Sequence, residues 1–114
     1  FHAMGEGFTW ETQDRARDVA MAAKGWETAK ALIRDPAVRF VLLDEINIAL
    51  RYDYLDVAEV VAFLRDEKPP LTHVCLTGRN AKEAVVELAD LVTEMTLVKH
   101  PFRSGVKAQK GVEF

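Results

Sequence analysis

The sequence predicts an α/β fold in which a parallel sheet is covered by helices on both faces. Helical and extended patterns alternate along the chain in the order helix, strand, helix, strand, helix, strand, which is typical of parallel βαβ units. Four apolar residues in a row begin at Phe40 and indicate a strand buried on both faces. With 114 residues, of which 49% are hydrophobic, the chain fits a single α/β domain, 1–114.

The first predicted helix covers residues 14–34. Apolar side chains recur there at helical spacing, and Pro36 follows, which the interior of a helix does not tolerate. We therefore assign Trp26 to the core. A strand is predicted over residues 40–44, followed by a loop or short helix over residues 46–55.

Two further helices are predicted over residues 56–65 and 80–88. Each begins with Asp or Asn at the predicted N-cap and has Glu three residues later, which is the spacing of a capping box. In that motif the first side chain binds a free backbone N–H of the first turn. The pairs are Asp56 with Glu59 and Asn80 with Glu83.

Two more strands complete the predicted sheet. The strand over residues 73–77 contains Cys75, the single cysteine, which we predict to be a buried core thiol without a disulfide partner. Apolar and polar residues alternate over residues 91–98, as expected of a final strand nearer the sheet edge.

The charge distribution narrows the classes of partner. A formal net charge of −3 argues against a dedicated nucleic-acid binder, which usually has a strongly basic face. Residues 99–114 nevertheless form a basic tail with four Lys or Arg and one Glu, which either meets an anion or is solvated. No apolar run approaches the ~20 residues of a membrane span, and we expect no membrane association, no signal peptide and a cytoplasmic location.

Asp44 and Glu45 directly follow the predicted strand that begins at Phe40. Ligands of parallel sheets bind outside the carboxyl ends of the strands, where P-loop enzymes hold Mg²⁺ with carboxylates. This pattern predicts a metal or nucleotide site, with a solvated strand end as the alternative. The phosphate-binding pattern G-x-x-x-x-G-K-[ST] is absent from the sequence, and we expect an upstream segment to precede Phe1.

Four stretches carry a family resemblance over nearly the whole chain. They are GEGFTWET from Gly5, LDEINIALRYDYL from Leu43, LTGRN from Leu76 and VKHPFRSGVKAQKGVEF from Val98. Together they resemble the P-loop type ATP:corrinoid adenosyltransferases, also called cob(I)alamin adenosyltransferases. The resemblance implies a sheet of the P-loop NTPase (RecA-like) type, incomplete here at the N-terminus, because family members carry their phosphate loop upstream.

The implied reaction uses ATP as a source of the adenosyl group. Cob(I)alamin attacks the 5′ carbon of ATP and expels triphosphate, so that ATP and the corrinoid are substrates and Mg²⁺ is the expected cofactor. The resemblance also implies a homodimer, and an electron-donating reductase is a possible partner. Without the phosphate loop, the chain by itself is expected to be inactive.

The resemblance implies roles for the residues that match the family motifs. Phe8 and Trp10 are expected to bind the corrinoid, although a turn flanked by glycines also uses such aromatics as core residues. Glu45 is expected to bind Mg²⁺, and Asp44 is expected to contact ATP and to hold a water beside the metal. The remaining candidate ATP contacts are Asn47, Arg51 and Arg79.

Each of these polar candidates has a simpler alternative. Asn47 and Arg51 are equally well explained as surface residues, and Arg79 as a salt-bridge partner of Asp44 or Glu45. In the tail, Lys99, His100 and Lys107 are most simply solvated, while His2 and His73 lack partners at metal-ligand spacing and are assigned structural roles.

Two other functions remain open from the sequence. The chain could belong to a degenerate P-loop-like domain that binds a nucleotide or corrinoid without catalysis. Alternatively, it could belong to another P-loop enzyme, such as an ATPase or kinase, that uses Asp44 and Glu45 to activate water or a hydroxyl. Substitution of Trp10 distinguishes these, because only cobalt chemistry should depend on it.

Overall fold

The computed structural model describes residues 1–4 and 14–107. Within these residues the predicted alternation of helices and strands is confirmed as far as residue 88. The elements are α1 (Arg15–Arg34), β1 (Phe40–Leu43), α2 (Ile46–Arg51), α3 (Val57–Asp66), β2 (His73–Leu76), α4 (Glu83–Leu88) and a 3-10 helix (Pro101–Ser104).

Helix α1 is the longest element and packs the core from one side. The Asp14 carboxylate accepts a hydrogen bond from the Arg17 backbone N–H at 3.1 Å, and this caps the first turn. The helix ends at Arg34, before Pro36. Trp26 is buried as predicted, and its ring meets the ring of Phe63 edge to face with centroids 5.3 Å apart.

Strands β1 and β2 form a two-stranded parallel sheet in which Phe40 pairs with His73 and Leu43 with Leu76. Side chains alternate across such a sheet. Val41 and Val74, on one face, are buried or half-buried in the core cluster. On the other face, the side chains are exposed: Phe40, Leu42, His73 and Cys75.

The open face corrects the prediction that the first strand is buried on both sides. Phe40 is 62% exposed and Leu42 is 52% exposed. The helices of the described residues contribute their buried side chains to a single cluster, which reaches the sheet only through the Val41 face. The same register explains why Cys75, predicted to be buried, is exposed: its side chain shares the open face with Leu42.

The core is one cluster that draws on four helices and β1. Ile33, Leu50 and Val60 are its most completely buried side chains. Their burial joins α1, α2 and α3 behind the sheet. The buried hydrophobic residues are Trp26, Ala29, Ile33, Val41, Ile46, Leu50, Val60, Phe63, Leu64 and Val85.

For α3 the predicted N-cap is confirmed but the capping box is not formed, and for α4 the predicted N-cap is wrong. The Asp56 carboxylate accepts from the Ala58 backbone N–H at 2.9 Å, while Glu59 reaches Lys30 at 3.6 Å. Asn80 does not cap α4, because it adopts a turn conformation with φ of 55°, and the helix begins only at Glu83.

The predicted strand over residues 91–98 is absent from the described structure. Its apolar residues are exposed, including Leu91, Met95 and Val98. An alternating pattern becomes a strand only when a sheet edge accepts its backbone hydrogen bonds, and among the described residues β1 and β2 pair only with each other. None of the helices in residues 1–4 and 14–107 is long and apolar enough to cross a membrane.

Candidate functional site

The candidate site lies where the two parallel strands end side by side. The ladder continues for one bond past the strands, since the Thr77 backbone N–H donates to the Leu43 carbonyl at 3.2 Å. This bond sets the residues that follow β1 against those that follow β2. Asp44 and Glu45 therefore face Thr77 and Gly78, as expected for the ligand-binding edge of a parallel sheet.

The hydroxyl of Thr77 joins both members of the acidic pair. It donates to the Asp44 carboxylate oxygen Oδ1 at 2.7 Å, and it accepts from the Glu45 backbone N–H at 2.9 Å. Hydrogen bonds to an ionised group are stronger than those between neutral groups. The bridge thus fixes the Asp44 carboxylate and the Glu45 backbone relative to β2.

Glu45 occupies an unusual backbone conformation for a residue with a side chain. Its φ of 60° and ψ of 17° are left-handed, a region that costs a non-glycine residue about 1–3 kcal/mol. Glu45 is the N-cap of α2, but its side chain makes no capping hydrogen bond. The Glu45 carboxylate is exposed and has no ion-pair or hydrogen-bond partner among the described residues, so that it remains available to a ligand.

Gly78 permits the close approach of the two strand ends. Its φ of +125° is a conformation that side chains rarely adopt. A Cβ atom at this position would lie 3.0 Å from the Asn47 Cβ and 3.3 Å from the Glu45 carboxylate oxygen Oε2. The absence of a side chain at Gly78 therefore leaves room for Asn47 and Glu45.

Asn47 differs from the other described site candidates in being buried, with 5% of its surface exposed. Its backbone N–H donates to the Thr77 carbonyl at 3.2 Å. Its side-chain oxygen Oδ1 is buried and has no hydrogen-bond partner among the described residues. An unpaired buried polar atom costs about 1–3 kcal/mol, and in native proteins such an atom is usually explained by a bound water, ion or ligand or by a functional role.

Arg51 lies at the end of α2 and takes part in a set of cation–π and stacking contacts. Its guanidinium sits 5.6 Å from the centre of the Tyr52 ring, which stacks on Tyr54 at 5.8 Å. Arg15 covers Tyr54 at 5.2 Å and donates to the Tyr52 carbonyl at 2.9 Å. These contacts tie the segment after α2 to the start of α1.

Arg79 is exposed and borders an open surface depression whose other lining residues, among them Met95, Leu97 and His100, are exposed too. The structure shows no ion pair between Arg79 and either carboxylate of the acidic pair, in the part of the chain that it describes. The alternative assignment as a salt-bridge partner is therefore wrong in this structure. His100 has a structural contact, since its Nδ1 accepts from the Phe102 backbone N–H at 3.0 Å.

The oxygen atoms at the strand ends suit Mg²⁺ better than a softer metal. Within residues 1–4 and 14–107, no group of three or more His, Cys, Asp or Glu residues has the geometry of a metal site. Mg²⁺ usually takes only one or two protein carboxylates and completes its shell with water and substrate phosphates. Asp44 and Glu45 supply that number of carboxylates, and Asn47 adds an amide oxygen nearby.

The structure brings together three of the residues predicted from sequence: Asp44, Glu45 and Asn47. Phe8 and Trp10 lie outside the described residues. The sequence analysis missed the role of Thr77, whose neighbours in the site are 32 and 33 residues away. The only signal in the sequence was that a hydroxyl residue directly follows one predicted strand and an acidic pair directly follows the neighbouring parallel strand.

Comparisons with known proteins agree on one family. The family model described as ATP:corrinoid adenosyltransferase BtuR/CobO/CobP matches residues 1–114. A corrinoid adenosyltransferase from Sinorhizobium sp is 76% identical over 100% of this chain and 53% of its own length. One from Pseudomonas aeruginosa is 55% identical, and corrinoid adenosyltransferase CobA from Salmonella typhimurium is 41% identical, each over all of this chain. The chain spans 56% and 58% of these two relatives.

Proposed function

The chain belongs to the ATP:corrinoid adenosyltransferase family, and on that premise we propose that the full-length gene product transfers the 5′-deoxyadenosyl group of ATP to a reduced corrinoid. The cobalt donates an electron pair to the 5′ carbon, a cobalt–carbon bond forms, and the carbon–oxygen bond breaks. Triphosphate leaves with the electrons of that bond. The observation that supports this most is the pair of carboxylates held at the carboxyl ends of two parallel strands.

In this proposal, the strand ends bind the nucleotide. Glu45 holds Mg²⁺, with Asp44 beside it, since the Glu45 carboxylate is exposed and makes no capping bond. Bound Mg²⁺ would neutralise the charge that develops on the triphosphate leaving group. Asn47 contributes the buried Oδ1, which a ligand donor or cation would satisfy at the edge of the site.

The arginines and aromatics complete the proposed site. Arg79 follows Gly78 in the sequence and is exposed, and its guanidinium is of a type that suits bidentate binding of a phosphate. Arg51 remains a proposed ATP contact at the end of α2. Phe8 and Trp10 are proposed to face the corrin, where apolar rings would exclude water and an axial ligand from cobalt.

The family resemblance also supports proposals about the whole protein. These are a sheet of the P-loop NTPase type, a homodimer, a cytoplasmic location and a reductase that supplies the electron. The exposed Phe40 and Leu42 support the first of these, because a larger sheet with helices on its second face would bury them.

The test is an adenosylation assay of the full-length gene product with ATP, Mg²⁺ and chemically reduced cobalamin, followed by the visible spectrum. We expect Glu45→Gln to lower turnover by at least about 100-fold, since one metal-binding carboxylate is lost. Glu87→Gln is the matched control, because Glu87 is an exposed carboxylate on α4. Wild-type turnover in Glu45→Gln would refute the metal role. Corrinoid binding without any turnover by the wild type would instead favour a non-catalytic module.

A further inference from the structure

We propose that Thr77 is the positioning residue of this site and that its hydroxyl holds Asp44 and Glu45 in the arrangement that binds a metal–nucleotide complex. The inference rests on the proposed function for the identity of the ligand. Thr77 contacts the acidic pair and would not touch the reacting atoms.

Thr77 uses all of its hydrogen-bonding groups on the end of β1 and the start of α2. Its backbone N–H donates to the Leu43 carbonyl at 3.2 Å, and its carbonyl accepts from the Asn47 N–H at 3.2 Å. Its hydroxyl donates to Asp44 at 2.7 Å and accepts from the Glu45 N–H at 2.9 Å. One residue at the end of β2 therefore sets the path of the chain from residue 43 to residue 47.

The two bonds of the Thr77 hydroxyl fix its direction. Because the Glu45 N–H occupies an acceptor position, the proton points to the Asp44 carboxylate. Branching at the β carbon also restricts rotation of the threonine side chain. The Asp44 carboxylate is thereby held through Oδ1, and Oδ2 has no hydrogen-bond partner among the described residues.

The bond to the Glu45 N–H has a separate consequence. Glu45 is in the left-handed region, which is unfavourable for a residue with a side chain. A hydrogen bond to its backbone helps to maintain that conformation, and the conformation sets the direction of a carboxylate that takes no part in capping. Loss of the hydroxyl should thus disturb both carboxylates without removing either one.

The variants that test this are Thr77→Val, which keeps the shape and removes the hydroxyl, and Thr77→Ser, which keeps the hydroxyl. Thr28→Val is the matched control, because Thr28 is also half-buried and its hydroxyl donates to the Lys24 carbonyl at 3.2 Å on α1. The full-length gene product is used. The readouts are the Mg²⁺ concentration that half-saturates ATP binding in calorimetry, kcat, and hydrogen exchange of the Glu45 amide by NMR.

We expect Thr77→Val to raise the half-saturating Mg²⁺ concentration by about tenfold or more, which is the scale of a lost hydrogen bond to a charged group. Thr77→Ser should stay within about threefold of the wild type, and Thr28→Val should not change it. The Glu45 amide should exchange faster in Thr77→Val only. A role confined to folding would lower the unfolding midpoint and leave the Mg²⁺ dependence unchanged.

If the wild type binds ATP, an unchanged Mg²⁺ dependence in Thr77→Val would overturn the inference, whatever the Glu45 exchange. If the wild type neither binds ATP nor turns over, the proposed function fails, and the NMR result decides about Thr77 separately. Faster Glu45 exchange in Thr77→Val would then support positioning of the acidic pair for some other ligand, and unchanged exchange would refute it.

Discussion

Gly78→Ala is the substitution for which the structure gives the most specific expectation. The new Cβ would lie 3.0 Å from the Asn47 Cβ and 3.3 Å from both the Asn47 backbone nitrogen and the Glu45 Oε2. The first contact is at the lower limit of the distances that Cβ atoms adopt, and the nitrogen is fixed by its bond to Thr77. The site therefore has to deform to accept a single methyl group.

The expected cost has two parts. A side chain at φ of +125° costs about 1–3 kcal/mol in backbone strain. Overpacking against Asn47 and Glu45 adds about 1–3 kcal/mol. We expect the free energy of unfolding of Gly78→Ala to fall by about 2–6 kcal/mol. The affinity for ATP with Mg²⁺ should fall by at least about tenfold, because the displaced atoms belong to the proposed site.

Denaturation in urea and calorimetric titration of ATP measure the two effects. Gly105→Ala is the matched control: Gly105 has φ of +80°, but nothing lies within 4 Å of the position that a methyl group would take there. It should carry backbone strain alone and leave ATP affinity unchanged. If Gly78→Ala has the free energy of unfolding and the ATP affinity of the wild type, the expected contacts of a methyl group with Asn47 and Glu45 are refuted.

Two further predictions address the buried residues of the site and the core. Asn47→Leu keeps a similar shape and removes an unpaired buried oxygen, so the free energy of unfolding should stay the same or rise by up to about 3 kcal/mol while ATP affinity falls about tenfold. Equal ATP affinity would exclude Asn47 as a contact. Ile33→Ala should lower the free energy of unfolding by about 2–5 kcal/mol, because Ile33 is 0% exposed, whereas Leu71→Ala, at a position 70% exposed, should lower it far less. Similar losses for these two variants in urea denaturation would contradict the core assignment.

The elements that can be predicted well from sequence are those whose signals are local. Helix α1 carries its own apolar spacing, its cap at Asp14 and its stop at Pro36, all within or beside the element. The acidic pair after β1 is recognisable because a run of apolar residues leads directly to it. The same local reasoning fails at Asn80, where a turn conformation competes with the cap.

The features that sequence reasoning missed depend on pairing between distant residues. Whether Cys75 faces the core follows from the register of β2 against β1, which a continuous apolar run does not specify. The alternation over residues 91–98 becomes a strand only if the segment pairs with a sheet edge, and in the described structure it pairs with neither outer edge of the two-stranded sheet. The bridge from Thr77 to Asp44 and Glu45 likewise exists only once the two strands are aligned.

The open face of the sheet has a practical consequence for anyone who produces residues 1–114 alone. Among the described residues, both four-residue strands have unpaired outer edges, and Phe40 and Leu42 of β1 are exposed on the open face. These features favour strand addition and apolar association between copies. Cys75 lies on that same face as a free thiol, so contact between two copies there would bring cysteines together under oxidising conditions. Purification with a reductant, and a charged residue in place of Leu42, are the measures that this geometry recommends.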